Sequence, residues 1–368
     1  MLVSGCGNSG SNEIKIGALF ELTGGQSAFG TSSLNGVSLA LKEINAKGGL
    51  LGKKLVLVNG DNKSEPSEAA NAITKLITQD KVVAVVGSTT SSNTIAASAV
   101  AMSNKVPLIS PVATNPRVTV DDGGKVKDYV FRACFIDPFQ GTVGANYASK
   151  SLKAKTAAIY VDNSSDYSKG LAKFFREAFT KAGGEIVAEE AYLQKDQDFK
   201  ATLTKIKSTN PDVIYVPGYY EEVGKIIKQA RELGVTVAFL GGDGWDSPKL
   251  PEIAGADVLN NTYFTSHYSP EDKNPIVATF VDKYKKDYGI VPDAYAALGY
   301  DTMMLLADAI TRAGSTDADK IKDALVAAKG FKAVTGDITI NKTHDADKSA
   351  VILEFKEGKQ VYKDTVSP

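Results

Sequence analysis

Residues 82–94 read VVAVVGSTTSSNT, so a short apolar run is followed at once by small hydroxyl side chains. The apolar part, 82–86, predicts a buried strand, and the apolar spacing at 95–102 predicts the helix that follows it. Hydroxyl groups and free backbone N–H groups at a helix N-terminus suit an anion such as a carboxylate, although ordinary N-capping explains the same residues. The stretch therefore predicts a strand–helix unit with a candidate anion site at its turn.

The same alternation of strand and helix extends in both directions along the chain. Strands are predicted at 14–20, 55–58, 156–161, 185–187, 213–216 and 237–240, with closing strands at 335–340 and 351–355. Helices are predicted between the strands, among them 199–207, 223–233, 275–288, 294–313 and 316–328. Because the pattern restarts after Asp137-Pro138, it predicts an α/β fold of two similar Rossmann-like lobes with parallel-type central sheets.

Length and composition exclude several classes of protein. The 368 residues suit two domains, and 42 basic against 43 acidic residues leave a net charge of −1, without the basic excess of a nucleic-acid binder. Two His and two Cys are too few for a multi-ligand zinc site or a disulfide framework. No apolar run approaches the length of about 18 residues that marks a membrane-spanning helix. We therefore expect no metal, no cofactor and no nucleic-acid partner.

The residues after each predicted strand form the candidate site, because ligands of open α/β sheets bind beyond the carboxyl ends of the strands. The sequence SPVAT, at 110–114, follows a short predicted strand at 108–109. The sequence PGYY, at 217–220, follows the predicted strand 213–216. The sequence GGDGW at 241–245 contains the only Trp of the chain. Asp243 offers a charge there and Trp245 an apolar wall, although a turn is the ordinary setting for such an Asp.

Residues 1–12 differ in character from the rest. Met1-Leu2-Val3-Ser4-Gly5-Cys6 places small residues before a cysteine, and Gly, Ser and Asn follow it. This resembles the end of a bacterial lipoprotein signal, in which the cysteine is lipidated, so Cys6 is the predicted lipidation site and a flexible tether follows it. The preceding charged and apolar parts are missing, which predicts a truncated form that stays soluble. A disordered start with a chance cysteine is the alternative.

Together these stretches resemble the type I periplasmic binding proteins, specifically the branched-chain amino-acid binding group. The likeness runs from Ile14 to about Phe355, and its strongest marks are IKIG at 14–17, LNG at 34–36, NAKGG at 45–49, SPVAT at 110–114, and YAAL at 295–298 with Tyr300 and Asp301. The resemblance implies a ligand cleft between two lobes joined by three hinge crossovers, near 132–137, 263–267 and 338–343. It implies a first lobe of 13–133 plus 266–340 and a second lobe of 134–265 plus 341–368.

The resemblance also implies polar contacts for an amino-acid ligand. Ser91, with Ser92 beside it, and Thr114 would hold the α-carboxylate. The Val112 carbonyl and the Thr114 hydroxyl would face the α-ammonium, and Asp243 would complete its cage from the second lobe. Asp243 stands where the longer Glu is expected, so the cage is expected to be reshaped.

The apolar part of the ligand is expected to meet aromatic side chains. The resemblance implies Tyr167 and Tyr219 on the second lobe and Phe29 at the rim of the first, and Trp245 adds bulk two residues after the acid. Asp243 and Trp245 depart from the family pattern, so the preference among aliphatic ligand side chains stays open. One methylene group changes the binding free energy by only about 1–3 kcal/mol.

The function that the resemblance implies is that of an extracytoplasmic solute-binding protein of an ABC importer. It would bind a small neutral aliphatic L-amino acid such as Leu, Ile, Val or Ala by lobe closure, dock on a membrane permease, remain monomeric, and be anchored through a lipid on Cys6. An amide- or urea-binding protein and a ligand-sensing receptor module of the same fold are the alternatives. An enzyme is a further alternative, but no nucleophile or phosphate-binding motif accompanies Asp243, and His267 and His344 are expected to be exposed.

Overall fold

The computed structural model describes residues 12–366, and these form two lobes that are each built on a separate sheet. The strands of the first sheet are β1 (Glu13–Phe20), β2 (Lys54–Asp61), β3 (Ala84–Gly87), β4 (Leu108–Ser110) and β5 (Val130–Arg132). They lie in the order β2-β1-β3-β4-β5, and every neighbouring pair is parallel.

The second sheet has seven strands. They are β6 (Thr156–Asp162), β7 (Glu185–Tyr192), β8 (Val213–Val216), β9 (Ala238–Gly241), β10 (Thr262–Ser266), β11 (Ala350–Lys356) and β12 (Lys359–Val366). Their order is β12-β11-β10-β9-β8-β6-β7, with parallel pairing from β7 to β10 and antiparallel pairing of β11 with both of its neighbours. The predicted two-lobe α/β fold with mainly parallel sheets is confirmed.

Helices connect most of the parallel strands. They are α1 (Ser27–Ala46), α2 (Pro66–Thr78), α3 (Ser91–Asn104), α4 (Asp137–Asn146), α5 (Asp166–Lys181), α6 (Lys200–Ser208), α7 (Tyr220–Glu232), α8 (Lys249–Ala254), α9 (Pro275–Tyr288), α10 (Ala294–Ala313) and α11 (Ala318–Val326). None of the helices among residues 12–366 is both long enough and apolar enough to cross a membrane.

Helices α1 and α10 pack unusually closely in the first lobe. A Cβ on Gly36 of α1 would lie 1.9 Å from the backbone oxygen of Ala296 in α10, so only glycine permits this approach. Met303 and Leu306 of α10 share an apolar core with Ile16 of β1. The C-terminal helices therefore return to the lobe that the N-terminal strands begin.

The chain passes between the two sheets three times. The first passage lies between β5 and α4, and the second lies between β10 and α9. Ser266 still pairs with Val351 in the second sheet, while Ile340 and Ala346 belong to the core of the first lobe. The second crossover therefore follows Ser266, within the predicted range 263–267, and the third follows Ala346, a few residues after the predicted range 338–343, because the loop around Ala346 packs on the first lobe.

Two sequence predictions near the C-terminus need correction. Residues 335–340 do not form a strand but a loop with isolated bridges, because Asp301 accepts hydrogen bonds from the backbone nitrogens of Val334 and Thr335 at 2.7 and 2.9 Å. Strand β12 was not predicted from the sequence, because its mixed polar residues suit the half-exposed edge of a sheet and lack a strong apolar pattern.

The two histidines are buried, contrary to prediction. His267 stacks on Phe135 with ring centroids 3.8 Å apart, and His344 stacks on Phe131 at 4.2 Å. Both rings lie where the chain passes between lobes, so their polar sequence neighbours reflect crossover loops rather than exposed surface.

Candidate functional site

The loops at the carboxyl ends of both sheets meet between the lobes. The Ser92 hydroxyl donates to the Asp166 carboxylate at 3.1 Å, and the Asn115 side chain donates to the Asp166 backbone oxygen at 2.8 Å. On another side the backbone nitrogen of Ala28 donates to the Tyr220 hydroxyl at 3.3 Å. The lobes are therefore closed on each other in this structure, and Ser92 contributes to the contact between them.

Ser91 and Thr114 are brought together by the first sheet. Ser91 is the first residue of α3 and its hydroxyl accepts a hydrogen bond from the backbone nitrogen of Asn115 at 3.2 Å. Both Ser91 and Thr114 are buried. A helix N-terminus with a hydroxyl beside it can bind a carboxylate without a cationic side chain. Their role as carboxylate ligands stays a prediction, but their placement agrees with it.

A buried glutamate organises the turn before α3. Glu21 follows β1 directly, is fully buried, and accepts hydrogen bonds from the side chains of Thr89, Thr90 and Asn93. The backbone nitrogens of Thr89 and Thr90 also donate to it, each at 3.2 Å. These contacts fix the loop that carries Ser91.

Glu21→Gln is expected to lower the free energy of unfolding by about 1–3 kcal/mol, because an amide NH2 group cannot accept the hydrogen bonds that one carboxylate oxygen accepts now. Urea unfolding measures the change. The control is Glu222→Gln in the second lobe, where the buried carboxyl accepts a backbone hydrogen bond from Lys195 at 2.9 Å and burial already raises its pKa. Equal stability of Glu21→Gln and wild type would contradict this role for Glu21.

The loop that carries Thr114 is held by a buried arginine. Arg132 is fully buried at the end of β5 and donates to the backbone oxygens of Ala113 at 2.7 Å and Asn115 at 2.9 Å. Its Nε lies 2.6 Å from a carboxylate oxygen of Asp345. One guanidinium therefore fixes the residues on both sides of Thr114 and ties them to the third crossover.

Asp243 is the buried acid of the second lobe. It begins a 3₁₀ turn directly after β9 and is only 2% exposed. Gln140 donates to one carboxylate oxygen at 2.7 Å, and the Nε2 of His267 lies 2.9 Å from the other. Burial lowers the pKa of His267, which favours the neutral form of its ring, and the Gln140 amide is uncharged.

A second aspartate lies next to this acid and to Thr114. Asp137 is the first residue of α4, and its backbone nitrogen donates to the Thr114 oxygen at 3.0 Å. Among the described residues, neither carboxyl oxygen accepts a well-formed hydrogen bond. Burial raises the pKa of Asp137 to about 8, and the nearby Asp243 adds to the shift. A carboxyl with a pKa of about 8 is mostly protonated at neutral pH, so Asp137 can donate as well as accept a hydrogen bond there.

Aromatic rings from both lobes form one cluster beside these polar groups. Phe29 of α1 stacks on Tyr295 with centroids 4.0 Å apart and meets the edges of Tyr219 and Tyr220 at 5.7 and 4.8 Å. Tyr167 stacks on Tyr219 at 5.2 Å, and its hydroxyl accepts from the backbone nitrogen of Gly244 at 3.1 Å. Val112 belongs to the same apolar cluster. The structure thus brings Phe29, predicted at the rim of the first lobe, into contact with Tyr219 on the second.

Trp245 lies in the core of the second lobe. Its ring is fully buried, and its Nε1 donates to the backbone oxygen of Val216 at 3.0 Å. A Cβ at Gly241 would lie 2.1 Å from the indole, so the last residue of β9 must be glycine for the ring to pack there. This packing supports the turn that carries Asp243, and a ligand-facing role for Trp245 stays a prediction.

Several residues that shape the site were not identified from the sequence. They are Glu21, Arg132, Asp137, Gln140 and His267. Glu21 follows the first strand at its carboxyl end, which is a usable signal. Gln140 and His267 carried none, because each lies more than twenty residues from Asp243 in sequence. Cys6 and most of the proposed tether lie outside the described residues.

This chain is similar to known proteins over nearly its whole length. A profile of the family described as "periplasmic binding protein" matches residues 13–360. A Leu/Ile/Val-binding protein of Rhizobium johnstonii is 34% identical over 351 residues, which cover 95% of this chain and 93% of the relative.

Two solved structures are similar over nearly the whole chain. A leucine binding protein from Thermotoga maritima MSB8 superimposes with a TM-score of 0.91 at 41% identity, covering 96% of this chain and 99% of that one. A branched-chain amino acid transporter substrate binding protein from Streptococcus pneumoniae, in complex with isoleucine, also gives 0.91, at 43% identity, with coverage of 97% and 100%.

Proposed function

Because this chain belongs to the periplasmic binding protein family, we propose that it is the solute-binding component of an ABC importer for a small neutral aliphatic L-amino acid. Leucine, isoleucine, valine and alanine are the proposed ligands. The ligand would lie between the two lobes, with its charged groups at the loops after β3, β4 and β9.

The observation that carries this proposal is the environment of Asp243. A buried carboxylate is costly unless a cation or several donors accompany it, and its hydrogen-bond partners here are an amide and a histidine whose pKa is lowered by burial. A primary ammonium placed beside it would form charge-assisted hydrogen bonds, which are about twice as strong as neutral ones. The Val112 backbone oxygen and the Thr114 hydroxyl are the further groups that we assign to the ammonium. A ligand with an ammonium group is favoured over an amide for this reason.

The carboxylate of the ligand is assigned to the start of α3. Ser91 offers a hydroxyl there, and the free backbone N–H groups of a 14-residue helix point the same way. Glu21 already accepts the hydrogen bonds of Thr89 and Thr90, so the donors from Ser91 onward are the ones left for a ligand. A carboxylate at this end and an ammonium group at Asp243 would together make up a zwitterionic ligand.

The side chain of the ligand is assigned to the aromatic cluster. Phe29, Tyr167, Tyr219 and Tyr295 are all buried and present ring surfaces rather than charges. Such surfaces favour an apolar group over a charged one. The isoleucine complex of the Streptococcus pneumoniae relative supports the same class of ligand.

Lobe closure would report the bound ligand to a permease. Phe29 and Tyr219 come from different lobes and touch only when the lobes are closed, so a ligand that contacts both favours the closed form. We propose that the closed form docks on the membrane permease as a monomer, outside the cytoplasm, with Cys6 as a lipid anchor.

The experiment is a ligand panel on protein that has been unfolded and refolded to remove any bound ligand. Trp245 fluorescence and melting temperature are followed with L-leucine, L-isoleucine, L-valine, L-alanine, acetamide and urea. At about a hundred times its dissociation constant, a true ligand adds roughly 2.7 kcal/mol of stability. We expect a saturable response to the aliphatic L-amino acids. A response to the amides alone would contradict the proposal and favour an amide-binding protein.

A further inference from the structure

Two residues that hold Asp243 come from the crossovers between the lobes. We propose that Gln140 and His267 are positioning residues that fix the Asp243 carboxylate to two crossovers, so that recognition of the ligand's ammonium group is coupled to the geometry of the hinge. This inference rests on the proposed function, because it concerns how the same site recognises an amino acid.

Gln140 ties Asp243 to the first crossover. It lies on the first turn of α4. This helix begins at Asp137, and four residues separate it from the end of β5 at Arg132. Its side chain is fully buried, and Nε2 donates to the carboxylate at 2.7 Å. The Oε1 atom has no partner among the described residues, so the amide is oriented by this single contact.

His267 ties the same carboxylate to the second crossover. It is the first residue after β10 and stacks on Phe135 of the first crossover, with ring centroids 3.8 Å apart. Nε2 lies 2.9 Å from Asp243, and Nδ1 has no partner among the described residues. A carboxylate only accepts hydrogen bonds, so Nε2 carries a proton, and burial lowers the pKa of the ring, which favours its neutral form. The ring therefore connects both crossovers to the acid.

Each donor holds a different carboxylate oxygen, which fixes the plane of the group. The remaining lone pairs of the carboxylate therefore keep a defined direction towards the proposed ligand. An aspartate has little reach of its own, so its position depends on the backbone turn and on these two contacts. Hinge segments absorb the dihedral changes of lobe closure, and both donors adjoin such segments: Gln140 lies just after the first crossover and His267 at the start of the second.

The test is a double-mutant cycle on the complete protein, with L-leucine as the ligand. His267→Phe keeps a ring on Phe135 but removes the donor, and Gln140→Leu removes the other donor from a different element. Each is made in wild type and in Asp243→Asn. The matched control is His344→Phe, because His344 also stacks on a phenylalanine but contacts the Val130 backbone instead of Asp243.

In wild type, each of the two variants is expected to weaken leucine binding by about 10-fold to 100-fold, the equivalent of one hydrogen bond to a charged group. In Asp243→Asn, each is expected to change it by less than about 3-fold, because a residue that acts through Asp243 has no further effect once the charge is gone. His344→Phe is expected to lower stability and leave the affinity unchanged.

Equal factors in the two backgrounds, or effects no larger than that of His344→Phe, would overturn the inference. If His267→Phe does not fold, Gln140→Leu decides the question alone. Failure of wild type to bind any aliphatic amino acid would instead overturn the proposed function, so the two failures are distinguishable.

Discussion

Asp243→Asn is expected to weaken the binding of L-leucine by about 2–5 kcal/mol, which is roughly 30-fold to several thousand-fold. The change is nearly isosteric, but it removes the counter-charge that we propose for the ammonium group of the ligand. The asparagine also presents an NH2 donor where the ligand brings another donor, so an acceptor is lost along with the charge. Calorimetric titration of refolded protein measures the effect.

The control for this variant is Asp301→Asn. Asp301 is also buried, but it caps the loop at Val334 and Thr335 and has no contact with the site. We expect it to lower stability without changing leucine affinity. An affinity of Asp243→Asn within about threefold of wild type would show that the ammonium is recognised elsewhere.

Arg132→Met is expected to lower the free energy of unfolding by about 3–5 kcal/mol, because it leaves the Asp345 carboxylate buried without its partner. The side chain also holds the backbone on both sides of Thr114, so leucine binding is expected to weaken as well. Denaturant unfolding and titration of the folded fraction measure the two effects.

The control is Arg231→Met, which distinguishes the loss of the Arg132–Asp345 ion pair from the loss of hydrogen bonds to backbone oxygens. Arg231 also donates to backbone oxygens, those of Val235 and Val237 at 2.7 and 2.9 Å, and it is half-buried in the second lobe. We expect a smaller loss of stability there and no loss of affinity. Adding Asp345→Asn to Arg132→Met should recover part of the lost stability, since the stranded charge is removed. No recovery would contradict the importance of that charge.

The repeating parts of the fold could be predicted from the sequence because their apolar patterns are local. Helices α9 and α10 and strand β8 have the predicted bounds, since apolar spacing and flanking Pro and Gly mark them within the segment itself. Residues 335–340 alternate like a strand, but a distant aspartate holds them as a loop. Strand β12 lacks the pattern because its side chains are mostly exposed or half-exposed.

The candidate site was predictable where its residues follow strands. Ser91, Thr114 and Asp243 lie at the carboxyl ends of β3, β4 and β9, where a parallel sheet places its ligand. The residues that hold them were not predictable, because Arg132 and His267 contact partners that are distant in sequence and that only the folded chain brings near. A buried histidine on a crossover has the same polar sequence neighbours as an exposed one, and burial is decided by Phe135 and the second lobe.

The most direct test of the account compares three ligands in one calorimetric experiment. L-Leucine carries both charged groups, L-leucinamide keeps the ammonium but lacks the carboxylate, and 4-methylpentanoate keeps the carboxylate but lacks the ammonium. If a zwitterion is held between the start of α3 and Asp243, leucine should bind tightest and each analogue should lose at least about 30-fold, with 4-methylpentanoate indifferent to Asp243→Asn. Binding of 4-methylpentanoate as tightly as leucine would contradict the account.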